Sequence, residues 1–332
     1  MSIAPQSVTL RLIGMELYKL RRRALSKSLG SIAVALAIIP FLFIGAGTFV
    51  TLNAPLDSFQ PSCQTFGNPN QGGTSQQPAS CPTLTPAQLQ SLRQSSVEAT
   101  STALRLPTSL NIVVETAFVV GSVLIIVLVG TIVGGEFSIG TIRLLFTRGP
   151  TRTQFLIAKL GTMLVVTFLG VVVMVILGVL VGQALNPLSG IAQNADYFSA
   201  GWFGHALLYL LAAMLGWLVY GTVALLFGIL GRSTVAGVVG GFLWLVLELI
   251  LSSVLGLIGS FSSGPFGNFL KAIPDYFIGN NIGALLGDQA HYLFGSSLPA
   301  LSALHALLVL ACYLVLFIGL AWWINKQRDI TN

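Results

Sequence analysis

Long apolar runs broken by short polar or basic clusters dominate the chain. No Asp, Glu, Lys or Arg occurs between Lys27 and Asp57, Glu115 and Glu136, Lys159 and Asp196, Asp196 and Arg232, or Asp288 and Lys326. Each gap holds the roughly 20 apolar residues that carry a helix across a bilayer. A sixth run, residues 234–260, is interrupted only by Glu248. The runs are continuously apolar and do not alternate, so strand barrels are disfavoured. Backbone polar groups in lipid must bond internally, which leaves helices. The pattern predicts an all-α polytopic membrane protein with spans at 29–52, 112–135, 155–181, 202–230, 234–260 and 303–324.

Composition sharpens this picture. Of 332 residues, 8% are charged and 54% hydrophobic, against roughly 25% charged in a soluble domain. Six spans put both termini on one side. If that side is cytoplasmic, Arg11, Lys19, Arg21, Arg22, Arg23, Lys27, Arg143, Arg148, Arg152, Lys159, Arg232, Lys326 and Arg328 are inside, and Arg93, Arg105 and Lys271 are outside. That imbalance is a strong positive-inside signal. The net charge of +6 therefore reflects orientation toward anionic lipid, not nucleic-acid binding. The expected location is the plasma (inner) membrane. No cleavable signal peptide is expected, and the first run reads as a signal anchor.

The connecting segments differ in character. Within residues 1–28, Leu10, Ile13, Leu17, Leu20 and Ala24 recur at helical spacing. Glu16, Lys19, Arg22, Arg23 and Lys27 fall mostly on other faces. This predicts an interfacial helix over about 7–27, its apolar stripe in lipid and its basic face at the headgroups. Residues 53–111 are predicted to form an extracellular cap, loop-like at first, then helical from a capping box at Thr85–Gln88 with Pro86 at the first helical position; the alternative is a flexible linker. Cys63 and Cys81 are disulfide candidates in an oxidising compartment. Such a bridge would contribute roughly 3 kcal/mol by the chain-entropy account; the alternative is two free thiols. Residues 261–302 are rich in Gly and Pro yet apolar, which predicts short re-entrant or interfacial helices. Residues 325–332 are expected to form a short cytoplasmic tail.

The segment 136–154 carries most information. Between Ser138 and the Gly149–Pro150 breaker fits a short helix presenting Ile142, Leu145 and Phe146, with Arg143 on the cytoplasmic side. An apolar-basic helix between two membrane helices suits docking into a groove of a soluble partner; the alternative is a membrane-surface turn. A second capping box, Thr151–Gln154, opens the third span.

No catalytic constellation is visible. The stretch Gly135…Gly140–Thr141 lacks a phosphate-reaching lysine. His205, His291 and His305 are isolated, so no metal site is expected. Glu248 is the one acid deep in an apolar run. It reads either as a substrate-path or proton-coupled residue, or as a hydrogen-bond partner of a Ser or Tyr such as Tyr220. Gly130/Gly134, Gly178/Gly182 and Gly237/Gly241 are spaced for close helix packing.

Glu16-Leu17-Tyr18-Lys19-Leu20-Arg21-Arg22-Arg23 and the stretch Gly135-Glu136-Phe137-Ser138-Ile139-Gly140-Thr141-Ile142-Arg143-Leu144-Leu145 resemble the signatures of ABC exporter permeases of the type-2 (ABC-2) family. So do Thr147–Phe155 and Lys159. The motifs cover about a fifth of the chain; the architecture covers all of it. The long outer loop after span one exceeds that of many members. The resemblance implies a permease subunit forming the pathway for an amphiphilic substrate (drug, antibiotic, peptide or lipid-like). It implies pairing with a second six-helix permease subunit, identical or paralogous, and with two separate ATPase subunits that bind the ATP and Mg. The coupling set it implies is Glu136, Ser138, Thr141, Ile142, Arg143, Leu145, Phe146, Arg148 and Arg152. The rival reading is an ion-gradient-driven transporter or channel using Glu248.

Overall fold

A computed structural model describes residues 5–61, 83–138, 150–190, 198–262 and 264–327. Among these, regular structure is helical throughout. Helix α1 spans Pro5–Arg22, α2 Ala24–Asn53, α3 Pro86–Ser101, α4 Thr108–Ser138 and α5 Arg152–Leu185. Then follow α6 Ala200–Gly231, α7 Thr234–Phe261, α8 Pro265–Ala272, α9 Ile278–Phe294 and α10 Ala303–Gln327. Six of these, α2, α4, α5, α6, α7 and α10, are long and apolar enough to cross a membrane. The chain is a multi-pass membrane protein.

Helix α6 is the central post. Two thirds of its apolar window is buried, and it packs against α4, α5, α7, α9 and α10. Phe41, Val113, Ile126, Tyr209, Leu225, Ile278 and Leu310 fill the core around it. In contrast, α2, α7 and α10 turn most of their apolar surface outward. A chain cannot leave that much apolar area in water; lipid or another protein covers it.

Small residues set the closest approach. Where α4 crosses α7, Gly130 lies against the backbone of Gly237 and Val238, and Gly134 against that of Ser233 and Thr234. A Cβ at Gly134 would sit 2.3 Å from the Ser233 carbonyl oxygen. The spaced glycines of the sequence thus mark backbone-to-backbone contact here.

Both capping boxes form. The Thr85 N–H donates to Gln88 Oε1 at 2.9 Å, and the Gln88 N–H returns to Thr85 Oγ1. The Thr151 N–H likewise donates to Gln154 Oε1 at 2.9 Å, with the Gln154 N–H returning to Thr151 Oγ1 at 3.2 Å. Helix α3 packs on α2 through buried Leu89 and Val97.

The first helix departs from expectation. The stripe predicted one helix to about residue 27, but α1 ends at Arg22. Arg23 is extended (φ −73°, ψ 131°), so Ala24 and Lys27 belong to α2. That single extended residue lets α1 leave the axis of α2 and lie on α5. Leu12, Glu16 and Leu20 are buried, whereas Leu10 is 69% exposed. The apolar stripe is therefore divided between a protein contact and the outside. Glu16, expected on the polar face, points into the protein.

Candidate functional site

Four ionisable side chains converge where α1 meets the end of α4 and the start of α5. Lys159 Nζ lies 2.6 Å from Glu16 Oε2 and 2.9 Å from Glu136 Oε1. Lys19 Nζ lies 2.8 Å from Glu16 Oε1 and 3.2 Å from Glu136 Oε1. Lys159 also donates to the Ile132 carbonyl at 3.4 Å and stands over the Phe155 ring. The Lys159 side chain is 2% exposed and that of Lys19 43%. Among the described residues the cluster pairs two carboxylates with two ammonium groups, the condition under which buried ions are tolerated.

Local sequence explains the assembly. Glu16 and Lys19, three residues apart, share a face of α1. Glu136 sits in the last turn of α4, and Lys159 two turns into α5. Gly161 lets α1 approach, because a Cβ there would meet Ile13 Cδ1 at 2.6 Å. The cluster thus fastens α1 at both roots of the 139–149 segment.

Burial alone would raise the Glu16 pKa, but Lys159 and then Lys19 hold it below the usual carboxylate range. Burial alone would lower that of Lys19, but Glu16 and Glu136 hold it above the usual amine range. The depressed carboxylate stabilises the docked helix above the usual Glu pKa, and this is lost as pH falls through its lowered value. The raised amine stabilises it below the usual Lys pKa, and this is lost as pH rises through its raised value. Docking of α1 is therefore expected to hold between about pH 5 and about pH 10. A spin label at exposed Leu10→Cys tests this: its mobility should stay constant across that window and rise on acidification below about pH 4. Mobility rising already between pH 7 and 5 would contradict it.

Of the nine residues for which the resemblance implies a coupling role, Glu136, Ser138 and Arg152 are described. The Ser138 hydroxyl donates to the Gly135 carbonyl at 3.1 Å. Arg152 donates to the Asn325 and Lys326 carbonyls at 3.1 and 2.8 Å, and Asn325 Nδ2 donates back to the Arg152 carbonyl at 3.2 Å. A guanidinium on the last carbonyls of α10 caps that helix and complements its dipole. Thr141, Ile142, Arg143, Leu145, Phe146 and Arg148 lie outside the described residues, as do Cys63 and Cys81. The three histidines each have a local partner: His205 with Gln289, His291 with the Ser296 carbonyl and His305 with the Asp275 carbonyl.

The sequence places Glu16 and Lys19 on the polar face of the first helix and Lys159 in a motif, but does not show that they meet. One signal was present. Glu136 and Lys159 lie at the ends of consecutive apolar runs joined by a short connection, so antiparallel helices carry them to similar depth.

Glu248 occupies a second polar position, halfway along α7. Its Oε1 accepts the Gly279 N–H at 2.8 Å and its Oε2 the Tyr220 hydroxyl at 3.3 Å. Gly279 lies in the first turn of α9, whose preceding residue Phe277 gives no side-chain cap. Glu248 thus caps α9 from a neighbouring helix. It lines a cavity of about 280 Å³ between α4, α6, α7 and α9.

A family described as a protein of unknown function (DUF2705) matches residues 96–331. The chain belongs to DUF2705. No curated protein matches it. The DUF2705 match begins within α3 and takes in α4–α10. Glu136, Lys159 and Glu248 therefore fall inside it, whereas Glu16 and Lys19 precede it.

Proposed function

We propose that this chain is the membrane-spanning permease subunit of an ABC-2-type exporter. It forms the pathway for an amphiphilic substrate and is driven by separate ATPase subunits that carry ATP and Mg. The observation that carries this reading is the Glu16–Lys19–Glu136–Lys159 cluster. It joins an interfacial helix to both roots of the segment whose motif resembles a coupling helix. A push on residues 139–149 would then move α1, α4 and α5 as one body. Arg152 extends that body to the end of α10.

Both termini are cytoplasmic in this reading, in keeping with the distribution of Lys and Arg. The outward-facing apolar surfaces of α2, α7 and α10 meet lipid and a second permease subunit. Residues 53–111 form an extracellular cap, and α8 and α9 form a re-entrant hairpin. Contacts along α6 support the hairpin. His205, near the start of α6, pairs with Gln289, near the end of α9, while Tyr220, further along α6, lies 3.3 Å from where a Gly279 Cβ would be. Thus α9 runs antiparallel to α6, and its first turn lies at the level of Glu248, deep in the bundle.

The test is ATP-driven transport in proteoliposomes of the complex with its ATPase. Glu136→Gln and Arg143→Ala are expected to insert normally yet lose both transport and substrate-stimulated ATP hydrolysis. Normal transport and stimulation in both variants would overturn the coupling assignment. Transport driven by an ion gradient without any ATPase would favour the rival use of Glu248.

A further inference from the structure

The cavity beside Glu248 has an unusual donor and acceptor balance. The Tyr220 hydroxyl donates to Glu248. The Ser122 and Ser253 hydroxyls donate to carbonyls of their own helices, Phe118 and Leu249. Asn280 Nδ2 donates to Ser252 Oγ at 3.1 Å and to the Pro274 carbonyl at 2.9 Å. That orientation is fixed, because the Pro274 carbonyl can only accept. Apart from the Ser252 hydroxyl proton, the side-chain donors of this wall are committed within the protein. What faces a ligand is an excess of acceptors.

Glu248 is itself held as an acceptor: the Tyr220 hydroxyl and the Gly279 N–H both donate to it. It is 8% exposed, and among the described residues it forms no ion pair. A carboxylate inside a membrane span without a basic neighbour is costly and points to a partner from outside. The dipole of α9 offsets only part of that charge. Beside it, the Phe118 and Tyr220 rings lie 6.5 Å apart, and aromatic faces attract organic cations. Val119 and Leu249 line the cavity and are exposed, so it opens sideways from the chain.

We infer that this cavity binds a monovalent organic ammonium, its charge against Glu248 and its apolar body against Phe118, Tyr220 and Leu245. A volume of about 280 Å³ admits an ammonium with one aromatic or short alkyl substituent. The inference deepens the transport reading by naming a substrate class, and it is read on the chain alone, without ATPase.

The test is saturable binding of radiolabelled benzyltrimethylammonium to the full chain in lipid nanodiscs, with neopentylbenzene as the neutral isostere. The wild-type protein should bind the cation at least tenfold more tightly than the isostere. Glu248→Gln keeps the shape and the Gly279 contact, and should weaken the cation at least tenfold while leaving the isostere unchanged. Val119→Trp fills the mouth, leaves Glu248 and its bonds in place, and should weaken both ligands. Equal affinity for cation and isostere, or cation binding undiminished in Glu248→Gln, would overturn the proposal. Should that variant fail to fold, undiminished cation binding in Val119→Trp would overturn it. Lost ATP coupling with intact cation binding would sink the exporter reading and leave this site standing; the reverse would sink the site alone.

Discussion

Lys159→Met is expected to destabilise the folded chain by about 3–5 kcal/mol, the range for removing one partner of a buried ion pair. The loss takes from Glu16 and Glu136, both buried, their buried ammonium partner and leaves the half-exposed Lys19 beside them. The two carboxylates then lose the cation that is most shielded from solvent. Methionine matches the volume of the lysine stem, so the effect is electrostatic and not a cavity. The double variant Lys159→Met, Glu16→Gln removes one charge of each sign and keeps the Glu136–Lys19 pair. It should recover a large part of the loss, and a double-mutant cycle of unfolding in detergent measures the coupling. Additive losses would show that Glu16 and Lys159 do not act as a unit.

Gly134→Val is expected to be the most disruptive change in the interior of the α4–α7 crossing. The new Cβ would lie 2.3 Å from the Ser233 carbonyl oxygen and 2.6 Å from Thr234 Cα. Both are backbone atoms, which cannot swing aside as a side-chain tip can. Overpacking typically costs 1–3 kcal/mol, and this site should reach or exceed the top of that range. Gly283→Ala provides the contrast. It lies within α9, and nothing sits within 4 Å of its added Cβ. There the better helix propensity of alanine should make the change neutral or stabilising, by up to about 1 kcal/mol. Thermal unfolding of the two variants beside the parent checks both signs. A Gly134→Val variant as stable as Gly283→Ala would mean that the backbone approach does not govern these glycines.

The parts of this structure legible in sequence are those fixed by local chemistry. Continuous apolar runs located the six long helices, because a bilayer selects length and composition regardless of the neighbours. The Thr85 and Thr151 boxes were legible because a cap involves residues three apart. The break at Arg23 was not, since Arg21, Arg22 and Arg23 present the same local chemistry. Only the docking of α1 on α5 chooses where the chain turns.

Long-range pairing was the least legible. Glu16 and Lys159 are 143 residues apart, and Lys19 and Glu136 are 117 apart. Nothing in their neighbourhoods encodes the partner. The bond between Tyr220 and Glu248 was among the readings the sequence allowed, because tyrosine is a natural donor to a lone acid in an apolar helix. The bond from the Gly279 N–H was invisible. Its donor is backbone, brought to Glu248 only by the path of α8 and α9.

The central claim is that residues 139–149 transmit the work of an ATPase into the bundle through α1, α4 and α5. A photo-crosslinking residue in place of Ile142, activated in membranes containing the assembled complex, tests it most directly. The account predicts an adduct with the ATPase subunit that forms from the cytoplasmic side and disappears when that subunit is omitted. An adduct with lipid alone, or labelling of position 142 by a reagent confined to the extracellular side, would contradict it.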